Sequence, residues 1–241
     1  VAIQDPRVRV LRDGQNKGLP ARLNEIVRLA KGELVARMDA DDAMHPLRLE
    51  KQVGFLQANP ELDGVTTGAY LIDAEDRPIA LLPGRQPSAQ EVLARGGFLH
   101  PSLLARKSWF EAHPYSLDYP RAEDRELFVR TFKTSRLHVL SEPLYFYRWF
   151  GVPRGKTLRI GYRSERKVMW KYGPNLVGWG PSLRLIALSF GKELLTWFLE
   201  WTHLEKGFQT RRAFQPLLEM DQREALRTLK VIRETCVPGW D

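Results

Sequence analysis

The 241-residue chain has one cysteine, Cys236. A lone thiol excludes a disulfide framework and suits a reducing compartment. No stretch of about 18 uncharged apolar residues occurs, so no transmembrane helix is expected. Internal repeats and recognisable nucleic-acid motifs are also missing, and a high pI alone is a poor argument for nucleic acid as a partner. The chain opens VAIQDPRVRV, without an initiator Met or a signal-like apolar run. That is the pattern of a processed product or a fragment.

What is present is the composition of a globular protein, 43% hydrophobic and 27% charged. The length suits one large α/β domain, or a domain of about 150 residues with an appendage. The net charge of +8 is uneven. Residues 151–241 carry 16 Lys and Arg against 9 Asp and Glu, whereas residues 1–150 carry 21 against 20. Five of the seven tryptophans, Trp170, Trp179, Trp197, Trp201 and Trp240, also lie in the basic part. Basic and Trp-rich together favour a membrane surface over nucleic acid.

Residues 8–11 (VRVL) read as a short strand. A helix follows, with Leu23, Ile26, Val27 and Ala30 at helical spacing and Gly32 as its stop. Residues 33–38 (ELVARM) read as a buried strand ending at Asp39. Pro46 suits the first turn of a helix with Leu49, Val53 and Leu56 on one face. Residues 64–72 (GVTTGAYLI) read as one strand, and 73–78 (DAEDRP) as a turn. Ser88 and Glu91 form a capping box for a short helix. Residues 98–106 read as extended, 122–134 as a helix, and 137–140 and 144–150 as strands. This alternation predicts an α/β sheet flanked by helices, in which ligands lie beyond the carboxyl ends of the strands.

Residues 151–157 read as a linker between a region 1–150 and a mainly helical region 151–241. In 181–202, Ser182, Ser189, Lys192, Glu193, Thr196 and Glu200 fall on one narrow helical face, and nearly all the rest is apolar. Two readings fit: a helix packed on the main domain, or one lying on a membrane surface.

The stretch MDADDAMHP (38–46) puts three carboxylates, Asp39, Asp41 and Asp42, at one chain reversal. A solvated turn can look the same. Carboxylate oxygens also suit Mg²⁺ or Mn²⁺, and the end of a buried strand is where such an ion can clamp a diphosphate. Glu123 and Asp124 open a predicted helix, either as charges complementing its dipole or as a base for an attacking hydroxyl. The segment from Asn16 through Gly18 to Arg22 and Asn24 combines a sharp loop with a helix start that offers free N–H groups to an anion. His100 and the pair Tyr147-Arg148 are candidates that ordinary packing or a surface ion pair explains equally well.

The order of these motifs is more specific than any one of them. N-x-G-x-x-x-R-x-N is followed by A-x-G-E, D-A-D-D, P-x-R-L-E, H-P-S, A-E-D-x-E-L and E-P-L-x-x-Y-R, over about residues 5–149. This resembles the family 2 glycosyltransferases, inverting enzymes with the A-type nucleotide-diphospho-sugar transferase fold. The resemblance implies that Asp39 and Asp41 are the DXD carboxylates, the first near the donor ribose and the second on the metal, with Asp42 assisting. It implies Asp124 as the acceptor-activating base beside Glu123, and Asn16, Gly18, Arg22 and Asn24 near the donor. His100 and Arg148 fall near the acceptor and the diphosphate. It further implies Mn²⁺ or Mg²⁺ and a nucleotide-diphosphate sugar such as a UDP-sugar as donor, while the basic, Trp-rich tail alone points to a surface glycan or lipid-linked acceptor. The expected place is the cytoplasm, peripheral on the inner face of the membrane through 181–202.

The family normally opens with a strand, turn and helix that here would precede Val1. A sheet lacking that strand leaves an edge uncovered, so the chain is expected to be less stable than a full family member or to dimerise. A non-catalytic scaffold that keeps the fold is the alternative function.

Overall fold

A computed structural model describes residues 5–151, 155–202 and 217–236. In chain order the elements are α1 (Leu19–Leu29), β1 (Leu34–Ala36), β2 (Ala43–Met44), α2 (Arg48–Ala58), β3 (Gly64–Thr67), β4 (Ala69–Ile72) and β5 (Pro78–Leu82). Then come α3 (Ala89–Arg95), β6 (Leu104–Arg106), α4 (Lys107–Ala112), α5 (Glu123–Thr131), β7 (Leu137–Leu140) and β8 (Tyr145–Arg148). The long helices α6 (Lys156–Val177) and α7 (Trp179–Trp201) follow, and α8 (Glu219–Glu234) is the last described element.

The strands form two four-stranded sheets, in the orders β1-β6-β3-β7 and β2-β8-β4-β5. The pairs β3–β7 and β4–β8 are parallel and the rest antiparallel. The expected α/β sheet with flanking helices is therefore present, but divided. The run 64–72 is two strands in different sheets, not one. Gly68 is the reason: its N–H donates to the carbonyls of Leu140 (3.2 Å) and Glu142 (3.0 Å), outside either ladder. A Cβ at Gly68 would stand 2.7 Å from the Gly84 nitrogen, so only glycine lets the chain turn there.

Other expectations shift locally. Residues 8–11 form no strand; Val8, Val10 and Leu11 are exposed and no ladder pairs them. A 3₁₀ turn at His100–Ser102 interrupts the run expected to be extended. α2 starts after Pro46 and buries Arg48, Gln52 and Leu56, leaving Leu49 exposed. On α1 only Val27 is buried, and Ile26 faces out. The capping box at Ser88 and Glu91 is present.

The main core lies among α3, α5, β6 and α6, with Val92, Leu93, Leu127, Phe128, Val168 and Met169 all buried. Each such aliphatic or aromatic side chain contributes about 1.5–3 kcal/mol when fully covered. α8 packs Ala225 and Leu229 on Tyr70, Ile72 and Phe146 of the second sheet. Among the described residues, α6 and α8 thus share the cores of the first 150 residues and build no separate one. Expectations for residues 152–154 of the linker and for Trp240 fall outside the described residues.

Candidate active site

The acidic turn leaves the end of β1 and runs into β2. Its two supports come from β8. The Tyr145 hydroxyl donates to Asp42 Oδ2 (2.7 Å) and accepts from the Asp39 N–H (3.2 Å). The Arg148 N–H donates to Asp42 Oδ1 (2.7 Å), and Arg148 Nε to the Asp41 carbonyl (2.6 Å). Asp39 Oδ1 accepts from Arg37 Nη2 at 2.5 Å. The outcome is a cluster in which one ligand oxygen from each of Asp39, Asp41 and Asp42 lies within 4.8 Å of the others. Asp41 is the exposed member, and Asp39 and Asp42 are half-buried.

Burial pushes the Asp39 carboxyl above its ordinary range against the opposing pull of Arg37, and the charges of Asp41 and Asp124 add to the rise. Burial is also the main cause that raises Asp42 to about 6, against the Arg148 and Tyr145 hydrogen bonds. Three crowded carboxylates with hard oxygen donors are a donor set suited to Mg²⁺ or Mn²⁺. The residues present fit such an ion, with Asp41 the freest to ligate.

A layer of buried cations lies beneath. Arg48 is 1% exposed. Its Nη2 donates to the Arg37 carbonyl (2.9 Å), its Nε to Gln52 (2.9 Å), and its guanidinium stands 5.1 Å above the Tyr145 ring. Gln52 in turn bonds the carbonyls of Val65 and Ser102. Burial lowers Arg48 to about 10. Arg37 is also buried, and its Nε and Nη1 have no hydrogen-bond partner among the described residues.

Glu123 and Asp124 form the first turn of α5. Arg121 precedes them with φ of 68°, a left-handed backbone that costs about 1–3 kcal/mol outside glycine. Burial raises the Glu123 carboxyl, Asp124 adds to the rise, and Arg37 opposes it. Asp124 acts electrostatically on Asp39, and Arg37 on Glu123, so the helix start lies within charge range of the acidic turn.

The remaining candidates are placed differently. His100 is buried, with Nε2 2.7 Å from the Tyr115 hydroxyl, and burial holds it well below the usual imidazole range. The Asn24 amide is used on both sides by the Tyr115 backbone, at 2.9 and 2.8 Å. His100 is therefore closed off from solvent, and Asn24 is engaged in holding the Tyr115 backbone. Arg22 bonds Asp13, Glu25 (2.7 Å) and the Gln15 carbonyl (2.6 Å). Asn16 accepts from the Gly18 N–H (3.2 Å), and Gly18, with φ of 77°, caps α1. Among the described residues, no hydrogen bond or ion pair joins this loop to the acidic turn. Besides the turn, Arg148 holds the Asp73 carbonyl (2.8 Å) and Asp76 (2.5 Å), and Asp76 also binds Arg233 of α8 (2.8 Å).

Sequence reasoning passed over Tyr145, Arg37 and Arg48. Arg48 stands in P-x-R-L-E and Tyr145 in E-P-L-x-x-Y-R, so the motifs contained the signal without showing which residue does the holding.

The site therefore combines a metal-fitting acidic turn at a strand end with a carboxylate pair at a helix start within charge range of it. The family model described as Glycosyl transferase family 2 matches residues 1–117. Over those residues, just under half of the chain, it is similar to that family. It is 32% identical over 148 residues to "Putative glycosyltransferase EpsE" of Bacillus subtilis, covering 59% of this chain and 52% of that one. It is 33% identical over 151 residues to "O-antigen biosynthesis glycosyltransferase WbnJ" of Escherichia coli, covering 60% and 58%. The chain thus spans about half the length of these curated relatives. A looser likeness is to the crystal structure of S. aureus TarS 1–349, with a TM-score of 0.48, 16% identity, and coverage of 71% of this chain and 50% of that one.

Proposed function

We propose that this chain carries the transfer machinery of a glycosyltransferase that moves a sugar, with inversion, from a nucleotide-diphosphate sugar to an acceptor hydroxyl. The observation that carries the reading is the acidic turn itself, three ligand oxygens within 4.8 Å of one another. Asp39, Asp41 and Asp42 would hold Mn²⁺ or Mg²⁺, which when bound supplies positive charge beside a diphosphate. Arg148 and Tyr145 hold the turn in its ligating shape. Asp124 takes the proton from the acceptor hydroxyl. The freed oxygen attacks the anomeric carbon from the face opposite the nucleoside diphosphate, whose bond to the sugar breaks. One base is enough for inversion, and no carboxylate nucleophile is needed on the other face. The name of one relative, an O-antigen biosynthesis glycosyltransferase, supports a surface glycan as acceptor, and the basic, Trp-rich C-terminal part supports a lipid-linked one at a membrane surface.

Calorimetric titration of UDP with and without Mn²⁺ tests the donor half. Metal-dependent binding that Asp41→Ala abolishes is the expected result. Asp124→Asn should keep that binding and lose transfer. UDP binding in neither condition would favour the non-catalytic scaffold.

A further inference from the structure

α7 packs Leu185 and Ile186 on the main core, but along the rest of its length its polarity is inverted. α6 and α7 form an antiparallel hairpin about Gly178, in which Gly173 packs on Ser182, Arg166 on Ser189 and Glu193, and Arg159 on Glu200. These pairs consume the narrow polar face of α7: Ser182 and Ser189 are 1% and 4% exposed. The apolar face is therefore left outside. Leu194 is 67% exposed, Trp197 59% and Trp201 70%, with Trp179, Leu183 and Phe190 about half exposed along the same arc. A helix packed on a protein core shows the reverse. No described helix is long and apolar enough to cross a membrane.

Charge decides what covers this face. The three acids of the hairpin are all turned inward in ion pairs, Glu165 with Arg125, Glu193 with Arg166 and Glu200 with Arg159. Every exposed charged residue of the hairpin is a cation: Lys156, Arg163, Lys167, Lys171, Arg184 and Lys192. Tryptophans stand toward both ends of the apolar arc, with Trp170 and Trp179 in edge contact at 5.8 Å and Phe198 beside Trp201. An apolar arc bounded by tryptophan and flanked by cations alone matches the interface of an anionic bilayer. A second copy of the chain would bring the same cations against these, which like-charge repulsion disfavours.

We propose that the outer face of α7 lies in the headgroup region of an anionic lipid surface and holds the protein there as a peripheral, non-spanning hairpin. This anchoring is independent of the donor chemistry. The test is co-sedimentation of the full chain with phosphatidylcholine vesicles, with and without phosphatidylglycerol. The double variant L194E/W197E serves as comparison; both side chains face solvent, so folding is left intact. Binding to the phosphatidylglycerol vesicles, weakened by salt and reduced at least tenfold in the variant, is the expected result. UDP titration with Mn²⁺ should be identical in the two proteins, which separates failure of anchoring from failure of the donor reading. Three results would each overturn the proposal: no vesicle binding, equal binding to neutral and anionic vesicles, or a dimer that the substitutions dissociate without vesicle binding.

Discussion

Removing one oxygen tests whether β8 holds the acidic turn. Tyr145→Phe deletes the hydroxyl that joins the Asp42 carboxylate (2.7 Å) to the Asp39 N–H (3.2 Å). It keeps the ring on which Arg48 rests at 5.1 Å, so the buried layer stays in place. A hydrogen bond to a charged acceptor is worth about 1.5–3 kcal/mol, and the longer neutral one about 0.5–1 kcal/mol. Water can replace part of both, because Asp39 and Asp42 are only half-buried. The net loss in metal-free stability should be about 1–2 kcal/mol. Two effects on metal affinity compete. Freeing Asp42 Oδ2 makes it more available as a ligand, whereas losing the hydroxyl lets the turn relax. Outer-shell partners of metal ligands typically matter by about 10–100-fold, so relaxation should win, with Mn²⁺ binding weakened about tenfold. Urea unfolding of the metal-free proteins gives the first quantity and Mn²⁺ calorimetry the second. Equal stability together with equal or tighter Mn²⁺ binding would refute the idea that Tyr145 shapes the turn.

Three further changes probe other links. Arg48→Ala should cost about 3 kcal/mol in urea unfolding, since it strips partners from the Arg37 carbonyl and Gln52 in a buried layer; a loss under 0.5 kcal/mol would show that layer to be dispensable. Gly84→Ala places a Cβ 1.8 Å from the Leu140 carbonyl oxygen. Backbone must move, at about 3 kcal/mol or more, and the melting temperature should fall by about 6–12 °C. An unchanged melt would contradict the packing at the sheet junction. Asp124→Asn should lower transfer at least a hundredfold while UDP affinity changes less than twofold; full turnover would remove Asp124 from the role of base.

The acidic cluster was legible because three carboxylates stand within four positions between an apolar run and a proline, although a solvated turn has the same pattern and only the order of the surrounding motifs favoured a site. The helix starts at Ser88 and Glu123 were legible from local chemistry. The division at Gly68 was not, because the residues on either side share the same strand-like composition. The glycine was the only local sign, and its meaning depends on Gly84 and Leu140, 16 and 72 residues further along the chain. Arg48 was hidden for a related reason. An arginine on an amphipathic helix normally reaches solvent, and only the tertiary approach of Tyr145, Gln52 and Arg37 makes its burial favourable. In α7 the amphipathic pattern was plain, but not which side faces in. That was settled by Arg159 and Arg166 on a different helix.

The parallel pairs β3–β7 and β4–β8 pass together from one sheet to the other, one through Gly68 and the other through residues 141–144. The length of that second crossing is therefore a ruler. Deleting one residue from it would pull β8 back by one position against β4 and bring Phe146 to the place of Tyr145, with no hydroxyl to reach Asp42. Loops elsewhere on the surface can drift in length as sequences diverge. This short connection cannot, because its residue count sets which atoms arrive at the acidic turn.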